Sequence, residues 1–202
     1  MSDYELILKQ REERITALRE KLLDTLPPDV AAGTRPFTLE IGCGHGHFLA
    51  ACAAAFPSEF CVGLDLVSKR IERALRKKEL GALQNLAFFK AEATEFLLAL
   101  PPHCRFDKIF FLFPDPWPKK RHHKNRLIQR EMLARLAEHT TAGAQLFFRT
   151  DHEEYFAWTC ALVDESDAWT RLGDDARWPF EHETYFQKIL PDAYRSLVAV
   201  RN

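Results

Sequence analysis

Along the chain, apolar residues first recur at helical spacing and then gather into short blocks set between charged stretches. Tyr4, Leu8, Ile15, Leu18, Leu22 and Leu26 stand among Arg, Glu and Lys, which predicts an amphipathic helix from residue 3 to about 26. Pro27-Pro28 stops it, and a short loop with Gly33 and Pro36 follows. The blocks beyond predict strands at Phe37–Ile41, Phe60–Leu66, Leu86–Phe89, Lys108–Phe113 and Ala144–Thr150. Between them lie predicted helices at His47–Phe56, Lys69–Leu80, Thr94–Leu100, about Arg126 to Thr140, and Glu153–Val163. Strands alternating with helices of this length imply right-handed β-α-β units and a mainly parallel sheet. Tyr185–Ile189 and Ser196–Val200 read as two last strands joined by a Pro-Asp turn, an antiparallel pair at the end of the sheet. The expected organisation is an N-terminal helix and linker over 1–35 and an α/β domain over 36–202.

Composition narrows the class without naming it. A chain of 202 residues that is 47% hydrophobic carries enough apolar material for one domain with a real core. With 28 Lys plus Arg against 29 Asp plus Glu, a blanket of positive charge is excluded, so nucleic-acid affinity has to come from local clustering. No stretch approaches the roughly 18 apolar residues of a membrane span, and Met1–Glu5 lacks the basic start of a signal peptide. Five scattered cysteines form no C-x-x-C, consistent with idle thiols and a cytoplasmic setting.

Chemistry-bearing residues gather where strands end. Leu39-Glu40-Ile41-Gly42-Cys43-Gly44-His45-Gly46 follows the first strand and opens the first helix of the alternating region, the place where an α/β sheet binds ligands. Gly42, Gly44 and Gly46 are spaced G-x-G-x-G rather than the G-x-G-x-x-G of dinucleotide folds. Glu40 precedes them, and a carboxylate there would repel a pyrophosphate but could hold a cationic amino-acid moiety. Asp65, ending the second strand, is placed to accept from a ribose diol, and Glu92, after the third, could receive the amino group of adenine. Three such signals together fit S-adenosylmethionine and resemble the class I methyltransferase pattern, a Rossmann-like fold.

The fourth strand runs into Phe113-Pro114-Asp115-Pro116-Trp117-Pro118-Lys119-Lys120-Arg121-His122-His123-Lys124-Asn125-Arg126. Three prolines impose a stiff, extended path that projects Asp115 and Trp117 from the strand end. Between Lys119 and Arg130 there are six Lys or Arg and no acid, a pattern suited to replacing counterions on a phosphate backbone. His122 and His123 are adjacent and lack Cys or Asp partners at ligand spacing, so no metal site is expected.

This run resembles the signature of bacterial tRNA (guanine-N7-)-methyltransferases, a likeness extending over roughly residues 37–190. The resemblance implies S-adenosylmethionine as cofactor and tRNA as partner; no membrane association is expected, and the chain is expected to be a monomer or homodimer. Glu40, Asp65, Glu92 and Asp115 would line the cofactor site, and Asp115 would also be the catalytic residue. Lys119, Asp151 and the segment Thr184, Tyr185, Phe186 and Gln187 would contact the target guanosine. Arg121, His122, His123, Lys124, Asn125 and Arg126 would lie against RNA. Three features depart from that pattern. Met1–Arg35 has no counterpart of the family's Arg- and Gly-containing motif, Gln187 stands where a Glu is usual, and Asn125 replaces a common Arg. Two other readings are an enzyme methylating exocyclic base amines, through the loose likeness of Asp115-Pro116-Trp117, and a non-catalytic RNA-binding protein on the same fold.

Overall fold

A computed structural model describes residues 2–173, 175–182 and 194–202. The helix at the start, α1 (Asp3–Thr25), opens with Ser2 and Glu5 bonding each other's backbone amides, a reciprocal cap that satisfies two orphan donors. It packs on the domain through Leu22 and through Arg14, whose guanidinium grips Glu95 at 2.5–3.2 Å. The single turn α2 (Pro28–Ala31) leads into the sheet.

Five strands are parallel: β1 (Phe37–Ile41), β2 (Phe60–Asp65), β3 (Leu86–Lys90), β4 (Phe106–Leu112) and β5 (Thr140–Thr150). The connecting helices are α3 (His47–Ala55), α4 (Ser68–Leu80), α5 (Ala93–Ala99) and α6 (Arg130–Glu138), and α7 (Glu153–Asp164) follows β5. Two further strands, β6 (Trp169–Arg171) and β7 (Arg195–Arg201), complete a seven-stranded sheet ordered β3-β2-β1-β4-β5-β7-β6. The β7 strand runs antiparallel to both of its neighbours. This is the mixed sheet flanked by helices that the residue pattern implies. Order reverses between β1 and β4, so the carboxyl ends of β1, β2 and β4 frame a crevice.

One face of the sheet is covered by α1, α5, α6 and α7, with Phe106, Phe111, Phe148, Trp169 and Tyr155 fully buried there. The other face is covered by α3, α4 and the segment around Trp178 and Phe180, where Phe110 stacks on Phe147 at 4.7 Å. Both faces being dry explains the near-continuous apolar runs of β4 and β5.

Three elements depart from expectation. The helix placed from about Arg126 starts at Arg130, preceded by a 3-10 turn over Lys120–Asn125. Arg126 itself is extended, at φ −60° and ψ 138°, because its side chain turns inward. The β5 strand begins at Thr140, four residues early, and bends at Gly143 with φ 86°. The edge strand Trp169–Arg171 has no signature in the residue pattern, since three residues are too few to carry a period. The expected Ser196–Val200 strand lies within β7, while Tyr185–Ile189 lies outside the described residues.

Candidate active site

Glu40 sits one residue from the end of β1, level with Gly63 of β2 and Phe110 of β4. Its side chain is buried, and Oε2 has no hydrogen-bond partner. Burial, with Asp65 as the second cause, raises its carboxyl to about 8. A buried acid with a free oxygen would be stabilised by a cation, which would restore the charge that burial suppresses.

The glycine loop closes over it. Gly42 and Cys43 both donate to the carbonyl of Leu64 at 2.8 Å, tying the loop to the end of β2. Gly42, Gly44 and Gly46 all lie in the left-handed region, at φ 81°, 54° and 69°. At Gly46 a side chain is excluded twice, because a Cβ would also meet the Phe88 ring at 2.6 Å and Ala74 at 2.8 Å. Asp65, buried at the end of β2, accepts from Gly44 N at 3.0 Å and Val67 N at 2.8 Å, with Arg70 at 3.4 Å. Its carboxylate therefore shapes the loop as well as facing the crevice edge, where Leu66 and Val67 are left exposed. Glu92 is engaged elsewhere in part. It caps α5, accepting from Thr94 N at 3.0 Å and Glu95 N at 2.9 Å.

At the end of β4 the backbone is strained. Phe113 and Trp117 adopt φ 50° and 45°, a region that costs non-glycine residues energy. Phe113 N donates to Arg149 O at 2.8 Å, extending the sheet ladder one step into the loop. Asp115 is exposed, and its Oδ1 accepts from Trp117 N at 3.2 Å. Trp117 meets the His122 ring edge-on at 5.8 Å.

The basic loop divides into an outer and an inner set. Lys119, Lys120, Arg121, Lys124 and Asn125 are exposed. His122 and His123 are half-buried, and Arg126 is buried entirely. Arg126 Nε donates to Pro116 O at 2.9 Å, inside the strained segment. Its guanidinium lies 5.0 Å and 5.2 Å from the centres of the Tyr155 and Trp158 rings and 3.5 Å from Glu154. The His123 ring contacts Arg126 Nη2 at 3.1 Å and Trp158 at 5.7 Å. Arg126 thus fastens the Asp115–Trp117 segment to the first turns of α7, rather than presenting a cation to solvent.

Asp151 is exposed in the turn between β5 and α7, and the next residue, His152, caps α7 by accepting from Tyr155 N at 3.2 Å. Residues Thr184, Tyr185, Phe186 and Gln187 lie outside the described residues. Glu40, Asp65 and the glycine loop are therefore brought together, and Asp115 and the cationic segment stand at the neighbouring strand end. The two halves are neighbours: a side chain added at Gly42 would meet Leu127 Cδ1 first, at 4.0 Å. Among the described residues, no three His, Cys, Asp or Glu side chains gather as metal ligands.

Two arginines hold interior positions that the expected site does not assign them. Arg126 looks like one cation among six, and only its neighbours Tyr155 and Trp158 mark it as internal. Arg149 does carry a signal, as a lone charge in the buried run Leu146–Thr150. Its guanidinium lies 3.9 Å from the centre of the Trp178 ring and 4.8 Å from that of Tyr194, and it bonds Glu181 at 2.9 and 3.1 Å.

A family model described as "Putative methyltransferase" matches residues 34–188. The chain is 36% identical over 192 residues to a tRNA (guanine-N(7)-)-methyltransferase of Caulobacter vibrioides, covering 86% of this chain and 84% of that relative. It is also 36% identical over 162 residues to the protein of the same name from Geobacter metallireducens, covering 79% and 77%. The aminoglycoside resistance methyltransferase NpmB1 shares the fold at a TM-score of 0.61 and 21% identity, covering 91% of this chain and 93% of that one. The 16S rRNA methyltransferase KamB does so at 0.60 and 19%, covering 86% and 91%.

Proposed function

This chain belongs to that methyltransferase family, and from that premise we propose that it transfers a methyl group from S-adenosylmethionine to N7 of a guanine in tRNA. The observation that carries the reading is the buried Glu40 carboxyl with its unpartnered oxygen at the end of β1, beside the cation-rich loop that leaves the neighbouring strand β4. An acidic crevice suited to a cationic amino acid opens against a loop suited to a polyanion.

The residues fit the cofactor. The unpartnered Oε2 of Glu40 would take its ammonium group, the left-handed glycine loop would let backbone approach it, and Asp65 would accept from a ribose hydroxyl. S-adenosylmethionine supplies an electrophilic methyl group. Guanine N7 carries an in-plane lone pair and no proton, so the chain needs no general base before attack. Its task is to hold nucleophile and methyl in line and to offset the positive charge left on the base. Asp115 stands at the strand end with its charge exposed, its carboxylate held by Trp117 N and the adjacent Pro116 carbonyl held by Arg126, suited to both orienting and charge compensation. Asp151, at the next strand end, would accept from the Watson–Crick edge of guanine, and Lys119 and the Thr184–Gln187 segment would also contact the guanosine. The guanine would come from a loop or be extruded, because a stacked base cannot reach a crevice.

The test is purified protein with methyl-labelled cofactor and unmodified tRNA, followed by digestion to nucleosides. Label in 7-methylguanosine is expected. Label in another nucleoside, or none in tRNA, would overturn the proposal.

A further inference from the structure

Outside the basic loop, cations crowd a second element. The α4 helix carries Lys69, Arg70, Arg73, Arg76, Lys77 and Lys78 against only Glu72 and Glu79. Ile71 and Ala74 form its buried stripe, so the charges ring the remaining surface. Lys69–Arg73 and Arg73–Lys77 are like-charge pairs at i,i+4, and Arg70–Arg73 and Arg73–Arg76 at i,i+3, each unfavourable for an isolated helix. The first turn holds Lys69 and Arg70 and no acid, against the helix dipole. Among the described residues, the one ion pair on this helix is Arg70 with Asp65 at 3.4 Å. Glu72 and Glu79, spaced three or four residues from Lys69 and Arg76, offset only part of this crowding. Its field is felt nearby: Arg73, Lys77 and Arg70 all act to lower the His45 imidazole, after burial, and Arg73 adds to burial in lowering Lys77.

The position matters as much as the charge. Arg73 Nη1 lies 3.3 Å from His45 Nε2 in the glycine loop, and Leu127 of the basic segment borders the space beside Gly42 in the same loop. One cationic surface therefore borders the glycine loop near His45 and the other near Gly42. We infer that the exposed cations of α4 are a second RNA-backbone surface, which holds tRNA phosphates near His45 while the Lys119–Arg130 segment holds them near Gly42. A polyanion spanning both would relieve the repulsion that the folded protein alone leaves in place. The inference rests on the proposed tRNA substrate. A single mononucleotide could not engage both surfaces.

The test uses Lys69→Gln/Arg73→Gln/Arg76→Gln, all exposed on α4, with Lys9→Gln on α1 as control. Binding of unmodified tRNA is measured by filter retention across a salt series. Cofactor binding is followed by calorimetry and folding by thermal melting. About 0.7–0.9 units of salt slope are expected to disappear for each phosphate that the protein no longer neutralises. The triple variant should therefore lose about two units and bind at least about tenfold more weakly at about 0.1 M salt. Its melting temperature should hold or rise, its cofactor affinity should hold, and the control should match wild type. An unchanged slope and affinity in the triple variant, or an equal loss in the control, would overturn the inference. Methyl transfer by wild type to the same tRNA is scored separately, so a protein that binds tRNA through α4 but methylates nothing would fail the functional proposal alone.

Discussion

Replacing Arg126 by Met removes a buried guanidinium while keeping most of its apolar stem. The bond to Pro116 O is charge-assisted and worth about 1.5–3 kcal/mol. The contacts with Tyr155 and Trp158 add about 0.5–1 kcal/mol each by the lower estimates for such pairs. Glu154 is half exposed, so its charge is left in water and adds little once its partner is gone. Against this stands the strain at Phe113 and Trp117, about 1–3 kcal/mol each. The two sides are of similar size, so losing Arg126 lets the Asp115 loop relax. A shift of about 2 kcal/mol in that equilibrium corresponds to a fall of about 30-fold in turnover. The assay is methyl transfer at saturating tRNA and cofactor, beside tRNA binding across a salt series. The expected result is a collapsed kcat with tRNA affinity and salt slope unchanged, and partial recovery in Arg126→Lys. Lys124→Ala, on the outer rim, should do the reverse, losing about one unit of slope with kcat preserved. If Arg126→Met weakens tRNA binding and lowers the slope while kcat holds, the guanidinium is an RNA contact and not a clamp on the Asp115 loop.

Other consequences follow from the same geometry. With Glu40 raised to about 8, the folded state binds a proton more tightly than the unfolded chain, so this group's contribution to stability is lost as pH rises from about 4.5 to about 8. Glu40→Gln should flatten that decline in chemical-denaturation curves, and a decline that persists unaltered would place its origin elsewhere. Cofactor binding near pH 7 should release close to one proton as Glu40 ionises, read by calorimetry in buffers of different ionisation enthalpy, and Glu40→Gln should bind at least about 30-fold more weakly. Asp115→Asn keeps an oxygen for Trp117 N but removes the charge, so kcat should fall about 100-fold or more with the melting temperature held. Full activity in that variant would exclude an electrostatic role. Gly46→Ala combines a left-handed φ with overlap on Phe88 and should cost about 2 kcal/mol or more, lowering the melting temperature by at least about 4 °C.

Most strands of this fold are legible because both faces of the sheet are dry, so that Phe37–Ile41 or Phe60–Asp65 stand out as apolar runs between charged helices. The glycine loop and its two acids are legible for a different reason, since φ sign and burial at strand ends restrict residue type. The basic loop is readable in composition but not in depth. Lys124 and Arg126 are equivalent in a charge count, yet one is exposed and the other is held between Tyr155 and Trp158, some thirty residues further along the chain. The same blindness to tertiary partners misplaces the start of α6, because Arg126 turns inward and Ile128 N bonds the Tyr155 hydroxyl at 3.0 Å instead of continuing a helix. Glu92 shows a third limit: an acid beyond a strand end can cap the following helix and face a ligand with the same carboxylate, and spacing does not separate the two.

In the proposed reaction the acidic crevice and the cationic loop act on one RNA substrate. Its most direct measurement is nucleoside analysis of tRNA incubated with methyl-labelled S-adenosylmethionine and either wild type or Asp115→Asn. Label confined to 7-methylguanosine with wild type, and reduced about 100-fold or more with the variant, is the predicted result. Label in any other nucleoside, or 7-methylguanosine formed equally well by the variant, would contradict the account.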